Sequence, residues 1–442
     1  MSASLYNQSI PRTELQPWPK RSGPDRVVVI NDLSFARGGA TGVALNSVDL
    51  LRQRGVPVTL ITGESAPEVH FADCADIVAV GCEHILNSPV SVAGLRGLYN
   101  HKAYRTISDW VARNDTPNTI YHLHGWSKIL SPSVFLALRP VARRVVASAH
   151  DFFLVCPNGG YFDFQNTQPC ALAPMSVSCL TRNCDRRNFH HKVWRSFRQF
   201  IGQTFRNIGH GNMTVVAVHE GMLAHLEFGG IERSQLRVLH NPVTPWRSER
   251  VLAENNDCFV YVGRLEADKG VDLLAEAATQ AGVKLRVIGQ GPLSDMLSAR
   301  YPSIEQAGWR DRSEIPDLIN DARALVMPTR GRETFGLAAM EAMTSGLPVV
   351  ASKNAMIAEE IHRRGFGLSC DPFDITALSD ALRRLANDNL LVQRMSQRAY
   401  DGARALALSP EDWVEALLEI YLDILRCGGK TDGIPSISDA PE

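Results

Sequence analysis

Short apolar, β-branched runs recur along the chain and alternate with stretches of helical periodicity. In the first half they fall at 26–31 (RVVVIN), 57–62, 119–124, 144–149, 213–218 and 236–240. Runs that are apolar throughout, without alternation, predict strands buried on both faces, as in a parallel sheet covered by helices. Between the first two, residues 41–54 put Val43, Val48 and Leu51 on one broad face, which predicts a helix. The segment 241–256 (NPVTPWRSERVLAENN) is polar and Pro-bearing and reads as a linker. A second alternation follows, with strands at 258–263, 284–289, 304–308, 324–327 and 347–352 and helices at 271–280, 313–321, 375–386 and 413–426. Two such series predict an α/β chain of two doubly wound, Rossmann-like domains, 26–243 and 244–408, facing a central cleft. The last helix, 409–428, is set to cross back to the first domain. Residues 1–25 read as a loose tail and 429–442 as a disordered one.

The chain has 442 residues, 45% hydrophobic and 21% charged, enough for two buried cores. A net charge of −1 gives no global field toward nucleic acid. No run of 18 apolar residues suggests a membrane span, and residues 1–25 lack the apolar segment of a secretory signal. Nine cysteines, an odd count spread over a long chain, fit a reducing cytoplasm.

The chemistry concentrates in 331–352, GRETFGLAAMEAMTSGLPVVAS. Glu333 stands in a Gly-flanked loop after an apolar run. Glu341 lies inside the helix that follows, with seven residues between the two. A helix opening near Thr334, Phe335, Gly336 and Leu337 points free N–H groups and a positive dipole end at what lies in front of it. Those groups suit an anion and the carboxylates suit hydroxyls, a pairing that a nucleotide sugar offers. Taken alone, Glu341 reads better as a solvated helix residue and Glu333 as a helix-start acid favoured by the dipole. In VGRLEADKG (262–270), Arg264 follows a strand end and Lys269 comes five residues on, cations suited to phosphate oxygens. Gly38 and Gly39 of RGGATG (37–42) open a helix and let backbone approach an anion. The dinucleotide fingerprint GxGxxG is absent there. Gly289 and Gly291 of LRVIGQGPL (285–293) bare a strand-to-helix turn, open to a base or ribose or simply tight. His150, His122 and His124 end two first-domain strands and set imidazoles toward the cleft.

In combination, the RGGA turn, VGRLEADKG, VIGQGPL and the Glu-x7-Glu run resemble the retaining glycosyltransferases of family 4, from about Arg26 to Arg426. The resemblance implies the GT-B fold and a hexosyltransferase. Its substrates would be a GDP- or UDP-sugar donor and a glycan or lipid-linked acceptor in surface polysaccharide synthesis. It implies a catalytic set of Glu333, His150, Arg264 and Lys269. Glu333 and His150 would meet the donor sugar, Glu341 the ribose, and Arg264 with Lys269 the diphosphate. The N–H groups of Thr334 to Leu337 would hold phosphate or sugar oxygens, with Gly38 and Gly39 closing from the other domain. It implies retention, with the departing phosphate taking the acceptor proton, and neither metal nor cofactor. Serine is common where His219 stands, which leaves His219 free for the acceptor. Base choice falls to 290–293 and 309–312. A soluble disaccharide synthase, a sugar-nucleotide epimerase and a non-catalytic nucleotide-sugar or glycan-binding pseudo-enzyme stay open as alternatives.

An insert, 152–190, carries Cys156, Cys170, Cys179 and Cys184 at spacings x13, x8 and x4. Three readings fit: reduced cysteines in an acceptor-binding loop, a zinc loop completed by His190 and His191, or a disulfide pair. From Arg186 to Arg206 an apolar row (Phe189, Val193, Trp194, Phe197, Phe200, Ile201) is joined by Arg187, Lys192, Arg195 and Arg198, with no acid between. It reads as a helix docked on an anionic bilayer, peripheral at the inner face of the cytoplasmic membrane, or as a core helix with a basic outer face.

Overall fold

The computed structural model describes residues 23–35, 38–64, 76–207 and 213–428. The tails 1–22 and 429–442, and Arg37 of the glycine turn, lie outside the described residues. The first sheet begins with β1 (Arg26–Asn31), β2 (Val58–Thr62), β3 (Asp76–Ala79), β4 (Thr119–Leu123) and β5 (Val145–Ala149). A small hairpin of β6 (Phe162–Asp163) and β7 (Gln168–Pro169) follows, then β8 (Thr214–Ala217) and β9 (Leu236–Val238). Hairpin aside, these strands run parallel in the order 3-2-1-4-5-8-9. The second sheet holds β10 (Cys258–Val262), β11 (Lys284–Ile288), β12 (Glu305–Gly308), β13 (Ala322–Met327), β14 (Val349–Ser352) and β15 (Gly367–Cys370), parallel in the order 12-11-10-13-14-15. The central runs are wholly buried, as continuous apolar patterning requires. In each sheet the order reverses beside its first strand, which opens a crevice at the strands' carboxyl ends.

Two edge strands escape the sequence pattern. β3 (DIVA) has no buried residue and β15 (GLSC) is too short and polar to stand out. The helix expected over 313–321 is only Ile315–Leu318, where Pro316 sits in the first turn, and a further helix runs Asn389–Gly402.

The last helix, Pro410–Gly428, lies on the first sheet. Trp413, Val414, Leu417, Leu418 and Tyr421 share one buried cluster with Val27, Val29, Val48, Leu51 and Leu60. Outbound linker and return pass side by side, with Val243 N donating to Leu408 O at 2.9 Å.

The helix Phe189–Asn207 is turned inside out relative to a core helix with a basic outer face. Phe189, Val193, Phe197 and Phe200 are 43–57% exposed, whereas Lys192 and Arg198 are buried. The buried cations are accommodated by what they touch. Arg198 donates to Ser127 O at 2.7 Å and lies over the Trp126 ring. Arg195 pairs with Asp185 at 2.6 Å, and Lys192 Nζ donates to Cys179 Sγ at 3.4 Å. The four insert cysteines are free thiols. Among the described residues no three His, Cys, Asp or Glu side chains are arranged to hold a metal ion. Of the three readings of the insert, the disulfide and zinc ones therefore find no geometry.

Candidate active site

Two loops of the second domain meet at the carboxyl ends of β10 and β13. Lys269 and Glu333 form an ion pair there, Nζ to Oε2 at 2.5 Å. The loops are fastened beneath that pair. The Asp268 carbonyl accepts from Arg330 N, Gly331 N and Thr329 Oγ1 at 2.9–3.1 Å. The Arg330 guanidinium donates to Ala267 O at 2.6 Å and grips both Asp272 oxygens at 2.6 and 2.7 Å. Gly270 has φ 71°, and a Cβ there would lie 2.1 Å from Pro328 O, so this crossing of loops requires glycine. Glu333 O in turn accepts from Met356 N at 3.0 Å.

The chain then turns at Gly336 (φ 76°) into the helix Leu337–Thr344, and a Cβ on Gly336 would lie 3.7 Å from Glu333 Cγ, so the helix starts beside that carboxylate's stem. Phe335 is buried, its ring centroid 5.8 Å from that of His240. Glu341 is 8% exposed and paired with Arg312 at 2.6 Å. Burial pushes its carboxyl up, against the pull of Arg312 and a hydrogen bond from Trp246. Arg264 stands apart from the Lys269–Glu333 pair: its side chain is 59% exposed and bound to Glu266 at 2.8 Å. Gly289 and Gly291 are half-buried, and close packing on one side explains why both are glycine. A Cβ at either would strike the opposing loop, 1.9 Å from Gly263 O and 2.4 Å from Leu265 O.

The first domain supplies the facing wall. Gly38 (φ 155°) caps the helix Gly39–Gln53, and a Cβ on Gly39 would lie 2.8 Å from Leu337 Cδ1. Thr334 Oγ1 donates to the His150 carbonyl at 2.9 Å. At the cleft's edge Arg186 reaches Glu266 and Asp268 at 3.1 and 3.0 Å. His122 is wholly buried, hydrogen-bonded to Tyr421 and Ser148, and closed to any ligand. His219 is buried too. Its Nδ1 accepts from Gly221 N at 3.0 Å, the capping role a serine would fill.

Two family models match consecutive stretches: Glycosyltransferase Family 4 over residues 37–247 and Glycosyl transferases group 1 over 243–402. The chain belongs to glycosyltransferase family 4. Among curated relatives of this family 4 glycosyltransferase, a glycogen synthase of Mycobacterium tuberculosis is 34% identical over 182 residues, covering 38% of this chain and 43% of the relative. An alpha-D-kanosaminyltransferase of Streptomyces kanamyceticus is 30% identical over 162 residues, covering 34% and 42%. In both, the match spans less than half of the relative's length. Solved structures share the fold across nearly the whole chain. Sucrose-phosphate synthase from Thermosynechococcus elongatus superposes with a TM-score of 0.69 at 16% identity, covering 91% of this chain and 100% of that one. HepE of Anabaena, in complex with UDP, gives 0.62 at 15%, covering 89% and 99%. The two Rossmann-like domains described above are the GT-B architecture of these enzymes.

Sequence reasoning passed over Arg330 and the pairing of His124 with His150, and met Arg312 only as the end of the 309–312 stretch, without its partner Glu341. Lone arginines look like surface cations until their partners are known.

Proposed function

We propose that this glycosyltransferase moves a hexosyl group, with retention, from a nucleoside-diphosphate sugar to a hydroxyl of a glycan or lipid-linked acceptor in surface polysaccharide synthesis. One observation carries the reading. The Lys269–Glu333 pair, the start of helix Leu337–Thr344 and the Gly38–Gly39 turn meet at one point between the two sheets. A cation, free N–H groups and a carboxylate complement a diphosphate joined to a polyol. The anomeric C–O bond breaks with its electron pair going to the phosphate oxygen. Lys269, the helix N–H groups and Arg264, once released from Glu266, meet that charge in a cleft shut from water. The acceptor oxygen bonds the anomeric carbon on the same face, and its proton passes to the departing phosphate. Glu333 and His150 hold sugar hydroxyls and Glu341 those of the ribose. The UDP complex of HepE makes UDP the first nucleotide to try. Thermal melting with UDP, GDP, ADP, TDP and their sugar conjugates tests the reading. A nucleotide at 100 times its dissociation constant adds about 2.7 kcal/mol, and no shift with any of them sinks the proposal.

The acceptor is met, in this proposal, at an anionic membrane surface. No described helix is long and apolar enough to cross a membrane. The exposed row Val193, Phe197 and Phe200 continues onto Val92 and Leu95 of the helix Val90–Leu98, whose Gly94 O accepts from Trp194 Nε1. The rings of Tyr99 and Phe205 meet at 6.2 Å and bring exposed His101, Lys102 and Arg105 alongside. Neither 84–108 nor 186–219 contains an acid. Exposed apolar side chains in two stretches that hold cations and no acid match anionic headgroups over acyl chains. Co-sedimentation with phosphatidylglycerol vesicles should be lost in Phe197→Ser with Phe200→Ser at unchanged melting temperature. Retained binding, or equal binding to neutral vesicles, removes the membrane from the proposal.

A further inference from the structure

Three imidazoles stand in a row from the final helix to the cleft. His122 uses both nitrogens, Nδ1 with the Tyr421 hydroxyl at 2.6 Å and Nε2 with Ser148 Oγ at 2.8 Å. The His124 ring lies 3.9 Å from it, centroid to centroid. His124 Nδ1 is 3.0 Å from His150 Nε2, with the two rings within 16° of parallel. His124 Nε2 is buried and has no hydrogen-bond partner. His150 is only part-buried, and its Nδ1 is the ring nitrogen that the bond to His124 leaves over. Burial keeps all three rings uncharged at neutral pH: it lowers His122 to about 3 and His150 to about 4, and holds His124 well below the usual histidine range.

A neutral pair bonded through two ring nitrogens shares one proton, and two arrangements exist. If His150 Nε2–H donates, His124 must carry its own proton on Nε2, a buried N–H with no acceptor. If His124 Nδ1–H donates, only an unused lone pair is left at His124 Nε2, and His150 must carry its proton on Nδ1. Orphaned buried N–H groups are rarer than under-used acceptors, and the bond made by one ring nitrogen fixes the proton on the other. We infer that His124 is a positioning residue that holds His150 as the Nδ1–H tautomer, so that His150 offers the cleft a hydrogen-bond donor and not a base. The ligand group it fits is an oxygen lone pair, a hydroxyl of the transferred hexose. This deepens the transferase reading and rests on it for the identity of that oxygen. It also accounts for a histidine pair at adjacent strand ends where one imidazole would suffice to make a contact.

The test reads the tautomer directly. Protein labelled with ¹⁵N at histidine gives long-range ¹H–¹⁵N spectra that separate Nδ1–H from Nε2–H rings, with His150→Gln assigning the His150 signals. Wild type should show His150 as Nδ1–H. His124→Asn, whose amide can donate from near the same point, should keep that pattern. His124→Phe should lose it and weaken turnover of UDP-glucose or GDP-mannose by about tenfold, the value of one hydrogen bond, with the asparagine variant within about threefold of wild type. A His150 Nε2–H ring in wild type overturns the inference, whether or not any variant folds. So does an unchanged tautomer in a folded His124→Phe. If wild type binds no nucleotide and turns over no donor, the transferase reading fails, and the spectrum still decides the tautomer.

Discussion

Lys269 and Glu333 neutralise each other at 2.5 Å although 64 residues separate them. Neither is deeply buried: their side chains are 27% and 22% exposed. The contact exists because the Asp268 carbonyl gathers three donors from the Thr329–Gly331 segment and locks the two loops together. In the proposed transfer, an arriving diphosphate would therefore meet an ammonium already aimed, and a carboxylate that must share it.

The two halves of that pair should fail differently. Lys269→Ala should weaken UDP or GDP binding by about 10- to 150-fold, the loss of one charge-assisted hydrogen bond. Glu333→Gln should leave nucleotide affinity within a few fold and cut transfer by about 100-fold or more, as expected for a preorganised polar group at the reacting centre. Calorimetry and donor turnover separate them. Wild-type turnover in Glu333→Gln would take Glu333 out of the site.

Arg330→Ala should destabilise the fold by about 1.5–3 kcal/mol, because it strands Asp272 and the Ala267 carbonyl. Arg330→Lys should recover little, since an ammonium cannot bind both Asp272 oxygens as a planar fork does. Urea unfolding gives the numbers. Full recovery by lysine would show that charge alone matters there.

Fold and site were unequally legible in the sequence. Strands buried on both faces announce themselves as unbroken apolar runs, so the alternation and the two domains could be read. β3 and β15 could not, because edge strands need no such run. Amphipathic spacing in 189–207 tells which residues share a face but not which face is inward. Lys192, Arg195 and Arg198 went inward because thiols, a carboxylate and a carbonyl from distant segments receive them. Gly289 and Gly291 signal a close approach, yet spacing alone does not say that the approaching group is the loop at Gly263 and Leu265. The roles of Arg312 and Arg330 depend on partners 29 and 58 residues away, beyond any local motif.

His122 should leave a signature in the pH dependence of stability. Its folded pKa is lowered to about 3 by burial, against about 6.5 unfolded. Between those values the unfolded chain takes up a proton that the folded chain refuses. The advantage of wild type over His122→Gln should therefore shrink as pH falls below about 6.5, by up to about 1.4 kcal/mol per pH unit. Urea midpoints at pH 7.5, 6.5 and 5.5 check this, and a constant gap would mean that His122 does not stay neutral in the fold.

Leu417→Ala should cost about 2–5 kcal/mol, since Leu417 is wholly buried. Its loss should register in the first domain, read by hydrogen exchange at β1 and β2, because its cluster includes Val27, Val29 and Leu60. Exchange changes confined to the second domain would contradict that packing.

That helix also sets an order of events during synthesis. The apolar layer over β1 and β2 stays incomplete until Trp413 to Tyr421 have left the ribosome, about 160 residues after the linker ends at 256. Domains ordinarily fold as they emerge, amino-terminal first. Here the second sheet has all its strands by Cys370 while the first still exposes the face awaiting its final helix, so the half of the enzyme translated first is the half finished last.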